Sequence, residues 1–216
     1  MFVDNAWGKT ALNSPISLHA PKSLEELRNP ILLMGGVHGD EPEGVWLAMK
    51  TLEMLQKEKA KVDWALIPCL NVDGIARNTR VNGRGVDLNR NYPSKSWAPD
   101  FKEERYNPGA CPGSEPEVQT VVKLIQLIKP RLVIHCHSWH PMIVCTGEPG
   151  MKEAEALGRS SGYKVSPEIG YQTPGSLSQY GWHDHQIPVI CIEEQNGALE
   201  ADVWPHFEKG MREIFY

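Results

Sequence analysis

The chain has 216 residues, 41% hydrophobic and 23% charged, with a formal net charge of −5. A chain of this length buries about 70% of its unfolded surface around one core, so a single domain over residues 1–216 is expected, and the acidic balance argues against nucleic acid or an anionic membrane as partner. No apolar run reaches the roughly 18 residues of a membrane span and residues 1–30 hold no signal-peptide core, which makes the cytoplasm the expected location. 

Cys69, Cys111, Cys136, Cys145 and Cys191 form no Cys-x-x-Cys pair. An odd number without a framework points to buried, reduced thiols.

In chain order, Ile16-Ser17-Leu18 gives a short strand signal, and Ser23 with Glu26 opens a brief helix to Leu27. Ile31–Met34 is a buried strand. It runs into Gly35-Gly36-Val37-His38-Gly39-Asp40-Glu41-Pro42-Glu43-Gly44, which places an imidazole and a carboxylate three residues apart where the strand ends. Nitrogen and carboxylate oxygen together suit a borderline cation such as Zn2+, whose catalytic sites take three protein ligands and an open position. Alone, His-x-x-Glu is more often a polar turn.

Val45, Leu47, Ala48, Leu52 and Leu55 recur at helical spacing, predicting a helix from near Glu41 to Gln56, and Trp64–Leu70 follows as a second buried strand. Strand, helix, strand implies a parallel crossover. Residues 71–114 read as a long irregular segment rich in Asn, Gly, Arg and Pro, and loops of that length are functional or disordered. Arg77, Arg80 and Arg84 lead into Gly85-Val86-Asp87-Leu88-Asn89-Arg90-Asn91. Guanidinium forks match carboxylates bidentately, so this is a candidate anion site beside the plainer reading of a solvated basic loop.

Ser114-Glu115-Pro116-Glu117 starts a helix, with Pro in the first turn and acid at its positive end, that runs to Pro130. Arg131–His137 is a third buried strand ending in His135 and His137, and Met142–Cys145 is a fourth. A helix over Met151–Ser161, a loop over 166–175 carrying Tyr171 and a short helix over Leu177–His183 come next. The strand Val189–Ile192 delivers Glu193 and Glu194, and an amphipathic helix from Asp202 to Tyr216 closes the chain. His135 and His137 project to the same side of their strand, whereas Glu193 and Glu194 point to opposite sides, so only one glutamate can face a metal. His19, His183, His185 and His206 have no partner pattern and read as surface or satisfied histidines.

Four blocks in order, His38-Gly39-Asp40-Glu41, Asn71-Val72-Asp73-Gly74 leading through Thr79-Arg80 to Asp87-Leu88-Asn89-Arg90-Asn91, Ser114-Glu115-Pro116-Glu117, and Tyr171-Gln172-Thr173-Pro174-Gly175-Ser176, carry a family likeness. Over about residues 31 to 195 the chain resembles the zinc metallocarboxypeptidases, and within them the small bacterial murein peptide amidase A type. The resemblance implies an α/β fold, with a mixed, mostly parallel twisted sheet and helices on both faces. It implies one Zn2+ per chain held by His38, Glu41 and His137, with Asp87 orienting the imidazole of His38. It further implies Glu193 as general base, Arg80 polarising the scissile carbonyl, Asn89 and Arg90 binding the substrate carboxylate, and Tyr171 on a loop closing over substrate.

The family pattern of ligand His, Ser, aromatic selects His137, followed by Ser138 and Trp139, and leaves His135 a second-layer partner or a spare ligand. Carrying the family's tyrosine-loop spacing forward selects Glu193 over Glu194 and puts Ser178 near the floor of the specificity pocket. The implied reaction is hydrolysis of the bond between γ-D-glutamate and meso-diaminopimelate in small peptidoglycan-derived peptides. A zinc acylase of the succinylglutamate desuccinylase and aspartoacylase type, which shares His-x-x-Glu and the Asp-Leu-Asn-Arg block, and a catalytically silent muropeptide-binding module stay open as alternatives.

Overall fold

The computed structural model describes residues 1–216. In chain order its strands are Phe2–Lys9 (β1), Pro15–Ala20 (β2), Ile31–Met34 (β3), Trp64–Ile67 (β4), Leu132–Trp139 (β5), Met142–Thr146 (β6), Lys164–Ser166 (β7) and Val189–Gln195 (β8). Its helices are Pro42–Lys57 (α1), Val72–Arg77 (α2), Pro116–Ile128 (α3), Met151–Ser161 (α4) and Glu200–Phe215 (α5). The strands form one sheet in the order β1-β2-β4-β3-β5-β8-β6-β7. The central four, β4, β3, β5 and β8, run parallel, while β1, β2 and β6 join antiparallel.

The central strands are apolar at nearly every position because both faces of the sheet are covered. Alternation splits their side chains between two cores. Ile31, Leu33, Trp64, Leu66, Leu132 and Ile134 pack under α1, α4 and α5, together with Leu47, Leu157 and Phe207. Leu32, Met34, Ala65, Ile67 and Val133 face the other way, against Ile16 and Leu18 of β2 and Val118, Val121 and Leu124 of α3. No helix is long and apolar enough to cross a membrane.

The elements differ from the sequence expectations where local signals are weak. β1 was not expected: its run of Asp4, Asn5, Ala6, Trp7 and Gly8 has no clean alternation, and its register shifts between Asp4 and Gly8. It holds as an edge strand, anchored where Asp73 accepts bonds from Thr10 Oγ1, Leu12 N and Ser14 Oγ at 2.8–2.9 Å. The segment read as irregular contains α2, capped by the Asn71 side chain accepting from Gly74 N at 2.9 Å and closed by Asn78 in the left-handed region at φ 51°. The three-residue strand β7 also escaped notice, and the helix expected over Leu177–His183 is a π-helical turn over Gln179–Asp184. Ser23 Oγ donates to the Glu26 carboxylate at 2.7 Å and accepts no capping bond from a backbone N–H, and the turn there is a 3-10 turn. All five cysteines are free; Cys136, Cys145 and Cys191 are buried, but Cys111 is exposed, contrary to the expectation of burial.

Pro42 occupies the start of α1 and brings Gly44 onto β5, where a Cβ would lie 2.3 Å from the Cys136 carbonyl oxygen. Inside a helix, Gly→Ala ordinarily gains about 0.5–1 kcal/mol. Here the sign should invert: Gly44→Ala should lower the unfolding midpoint by several degrees in a thermal melt, at about 2–4 °C per kcal/mol for a domain this size. An unchanged or raised midpoint would show that α1 has room to shift away from β5.

Candidate active site

β3 pairs with β4 on one side and β5 on the other, so the chain leaves β3 in opposite directions and the carboxyl ends of β3 and β5 bound a crevice. The loop after β3 brings His38 and Glu41 to this crevice, β5 brings His135 and His137, and β8 brings Cys191 and Glu193. Gly39 lets the loop lie directly on α2, since a Cβ there would meet the Gly74 carbonyl carbon at 2.0 Å. The crevice is a cleft of about 1600 Å3.

His38 and His137 are both buried, and Glu41 lies between them. His38 Nδ1 is 2.8 Å from Glu41 Oε1, His137 Nδ1 is 2.8 Å from Glu41 Oε2, and the two Nδ1 atoms are 3.0 Å apart. His38 Nε2 lies 3.0 Å from Asp87 Oδ1. When Nε2–H donates to Asp87, a neutral His38 is left with a lone pair on Nδ1, aimed at another nitrogen and a carboxylate. The Nδ1 atoms of the two imidazoles converge with the Glu41 carboxylate, which also accepts from Arg80 Nη1 and Ser138 N at 3.2 Å each, and N, O and N are the ligand set Zn2+ takes. These residues fit the metal that the resemblance implies.

The surrounding charges are paired. Asp87 is fully buried; its Oδ1 accepts from Asn89 N at 2.9 Å and its Oδ2 from Arg80 Nε at 3.0 Å. Burial alone would push this carboxyl up, but the Arg80 guanidinium and His38 override it and hold it below the usual carboxylate range. Burial likewise works against Glu41, and His38 and His137 hold it well below its ordinary value. Arg80 also reaches Glu41 Oε1, at 3.2 Å.

The pairing of β5 with β8 sets His137 beside Glu193 and His135 beside Cys191. Glu193 therefore stands on the face that carries His137. Burial first, and the Glu41 charge second, push its carboxyl up to about 8, while Cys191 Sγ donates to Oε1 at 3.2 Å. Glu194 faces the opposite core, where it accepts from Tyr163 and from Gln195 N and pairs with His206 Nδ1 at 2.7 Å. His206, read as a surface or satisfied histidine, is satisfied by this pair.

Asn89, Arg90, Tyr171 and Ser178 all line the same cleft. Arg90 is buried, yet its guanidinium donates to the Asn89 carbonyl at 2.8 Å rather than to a carboxylate. Asn89 Oδ1 accepts from Leu177 N at 2.9 Å. Tyr171 is 49% exposed and stands edge-on to Trp139 at 5.7 Å between ring centroids.

Other residues of the site carried no sequence signal. Glu43 is buried beneath β5, accepting from Ser138 Oγ and Gly197 N at 2.7 Å each. An acid in a first helical turn is ordinary, so nothing marked it. Tyr106 lies under three guanidinium groups, those of Arg80, Arg90 and Arg105, at 5.3, 5.8 and 5.5 Å from its ring centre. It sits in a short 3-10 turn inside the long loop, without a motif.

The family model described as zinc carboxypeptidase matches residues 7–190. Murein peptide amidase A of Escherichia coli strain K12 is 32% identical over 209 residues, 91% of this chain and 82% of that protein. Murein peptide amidase A of Vibrio campbellii is 27% identical over 96% of this chain and 86% of that one. The crystal structure of murein-tripeptide amidase MpaA from Escherichia coli O157 aligns with a TM-score of 0.80 at 27% identity, covering 99% of this chain and 91% of that chain. Bovine thrombin-activatable fibrinolysis inhibitor, solved in complex with tick carboxypeptidase inhibitor, also gives 0.80, at 20% identity over 98% and 88%, a likeness of fold alone. Matched by the family model over most of its length, the chain belongs to the zinc carboxypeptidase family of metallopeptidases.

Proposed function

We propose that the chain is a zinc-dependent amidase that cleaves the γ-D-glutamyl–meso-diaminopimelate bond of small peptidoglycan-derived peptides. The observation that carries this reading is the juxtaposition in one cleft of Glu193 on β8 with His137 on the adjacent β5 and with His38 and Glu41 from the loop after β3. The extent of similarity to the murein peptide amidases supports the substrate class.

Held by His38, Glu41 and His137, one Zn2+ would lower the pKa of a water and polarise the scissile carbonyl. Glu193 takes the proton of the attacking water and returns it to the leaving amine. Cys191 occupies its Oε1, so Oε2 is the oxygen that exchanges the proton. Burial raises this carboxyl in the metal-free protein, and a cation beside it would favour the ionised form that accepts the proton. Arg80 turns Nη1 from Glu41 to the oxygen on which negative charge develops, while its Nε stays on Asp87. Arg90 receives the free carboxylate of diaminopimelate with its unsatisfied guanidinium, and Asn89, whose side-chain oxygen is committed to Leu177, adds its NH2. Tyr171 covers the bound peptide, and Ser178 borders the pocket for the diaminopimelate side chain. A cytoplasmic role in recycling imported muropeptides fits a substrate of this size.

Incubated with L-Ala-γ-D-Glu-meso-diaminopimelate, the zinc-loaded protein should release free diaminopimelate, followed by mass spectrometry, and Glu193→Gln should slow release by about 10^2- to 10^4-fold. Failure to release it at one equivalent of bound zinc, with turnover of N-succinylglutamate or N-acetylaspartate instead, would move the assignment to the acylases. Tight peptide binding without any cleavage would mark a silent binding module.

Arg90→Lys keeps the charge and loses the fork. It should raise KM about 10- to 100-fold with a smaller effect on kcat, since hydrogen bonds to charged groups contribute about 1.5–3 kcal/mol. An unchanged KM would remove Arg90 from carboxylate binding.

The protonation of Glu193 has a stability consequence for the metal-free protein. Its carboxyl sits at about 8 in the folded chain against an ordinary 4.5, so its favourable contribution is complete below pH 4.5 and is lost as pH rises towards 8. The upper bound is about 5 kcal/mol at about 1.4 kcal/mol per tenfold change in proton affinity. Glutamine does not ionise, so in chelator the midpoint of Glu193→Gln should rise relative to the parent between pH 4.5 and 8. A gap independent of pH would mean that the carboxyl titrates normally.

A further inference from the structure

His135 is the one buried imidazole at the cleft that the proposed reaction does not use. It is 1% exposed, its Nδ1 lies 2.8 Å from His137 Nε2, and its Nε2 is buried with no partner. Two chemistries are open to it. His135, His137 and Cys191 stand close enough to form a second metal group, but that group and the His38, Glu41, His137 group share His137. With Nδ1 turned to Glu41 and His38, His137 has only Nε2 left for a second ion, and serving both requires a bridging imidazolate. Stripping that proton is costly near neutral pH, whereas donating it to the neighbouring Nδ1 costs nothing.

We infer that His135 is a positioning residue for His137: it accepts the Nε2–H of His137 and so fixes the tautomer whose Nδ1 lone pair joins Glu41 and His38. This inference rests on the metal reading above. Metal-ligating histidines generally give their second N–H to a carboxylate, a carbonyl or water, as His38 does to Asp87 here. His137 gives its own to a neutral ring. Two imidazoles in series leave one N–H over, and the structure puts the orphan on His135 Nε2, one ring away from the metal ligands. A side chain without an acceptor at position 135 would move that orphan onto His137, freeing its ring to turn or change tautomer. A neutral acceptor also leaves Glu41 as the single anionic ligand, because the charge of Asp87 is already matched by Arg80.

The test is zinc affinity, read by competition with a chromophoric chelator, in the parent, His135→Ala, the bulkier His135→Leu and His135→Asn. Metal-free thermal melts run alongside, and the acceptor-less variant that remains folded is scored. The parent should bind one equivalent. Losing the acceptor should weaken zinc binding about 10- to 100-fold while the metal-free midpoint moves by no more than a few degrees, and His135→Asn, whose side-chain oxygen stands near the old Nδ1, should recover most of the loss. Parent-like affinity without an acceptor would overturn the inference, and so would a second zinc equivalent in the parent that is lost with His135. A parent that binds no zinc would remove the metal reading together with this one. Peptide cleavage is not read, so an error in the assigned substrate leaves the result intact.

Discussion

The parallel pairing of β5 with β8 decides which side chains meet at the cleft. Because strand side chains alternate, the register that sets His137 against Glu193 gathers His135, His137, Cys191 and Glu193 on one face and sends Ile134, Cys136, Ile192 and Glu194 to the other. A slip of one residue would exchange Glu193 for Glu194. Apolar packing on both faces resists that slip, through Val133 and Val189 on one side and Ile134, Ile190 and Ile192 on the other. The partners of Glu194 act in the same direction, since Tyr163 and His206 tie it to the opposite layer. Core packing and site chemistry are thus one constraint.

Buried charge is the second constraint. Glu41 and Asp87 would each favour protonation if buried alone, and Arg80 bridges them, with bonds of 3.2 and 3.0 Å. The bridge requires the loop that carries Arg80 and Asp87 to be rigid without regular structure. Asn91 supplies much of that rigidity. It is fully buried; its NH2 donates to Pro108 O, Cys111 O and Ser114 Oγ at 2.7–3.0 Å, and its Oδ1 accepts from Glu115 N at 3.0 Å. One amide thereby joins the Asn89-Arg90 turn to the start of α3.

Much of this was legible in the sequence because the strands that build the site are pure apolar runs with titratable residues at their ends. Ile31–Met34 before His38, Leu132–Ile134 before His135 and His137, and Val189–Ile192 before Glu193 all had that form. Alternation could say that Glu193 and Glu194 part company, but not which one faces the cleft, because that depends on the partner strand. The Asn91 network, Glu43 beneath Ser138 and Tyr106 beneath three guanidinium groups were invisible for a related reason. Each is defined by contacts distant in sequence among residue types that are ordinary where they stand. β1 and α2 were missed because an exposed edge and a six-residue helix leave little periodicity to read.

Rigid and adjustable parts of the cleft are separable. His137 and Glu193 lie on β5 and β8, and His38 and Glu41 in the loop between β3 and α1, all with almost no exposed surface. The segment that carries Tyr171 is exposed at Pro167, Glu168, Gly170, Tyr171 and Gln172 but anchored immediately afterwards. Gly175 accepts from Tyr92 N at 2.9 Å and donates to Ser96 Oγ at 3.2 Å, and Leu177 N bonds Asn89 Oδ1. These anchors come from Asn89, beside Arg90, and from Tyr92 and Ser96 in the chain that follows, so the base of the Tyr171 segment is tied to the stretch that carries Arg90. Tyr171 itself lies further back along the chain from these anchors and meets Trp139 edge-on. The exposed tip and the sheet-borne side chains of the cleft are thus built on separate parts of the chain, joined by the bonds that Asn89, Tyr92 and Ser96 make to Gly175 and Leu177.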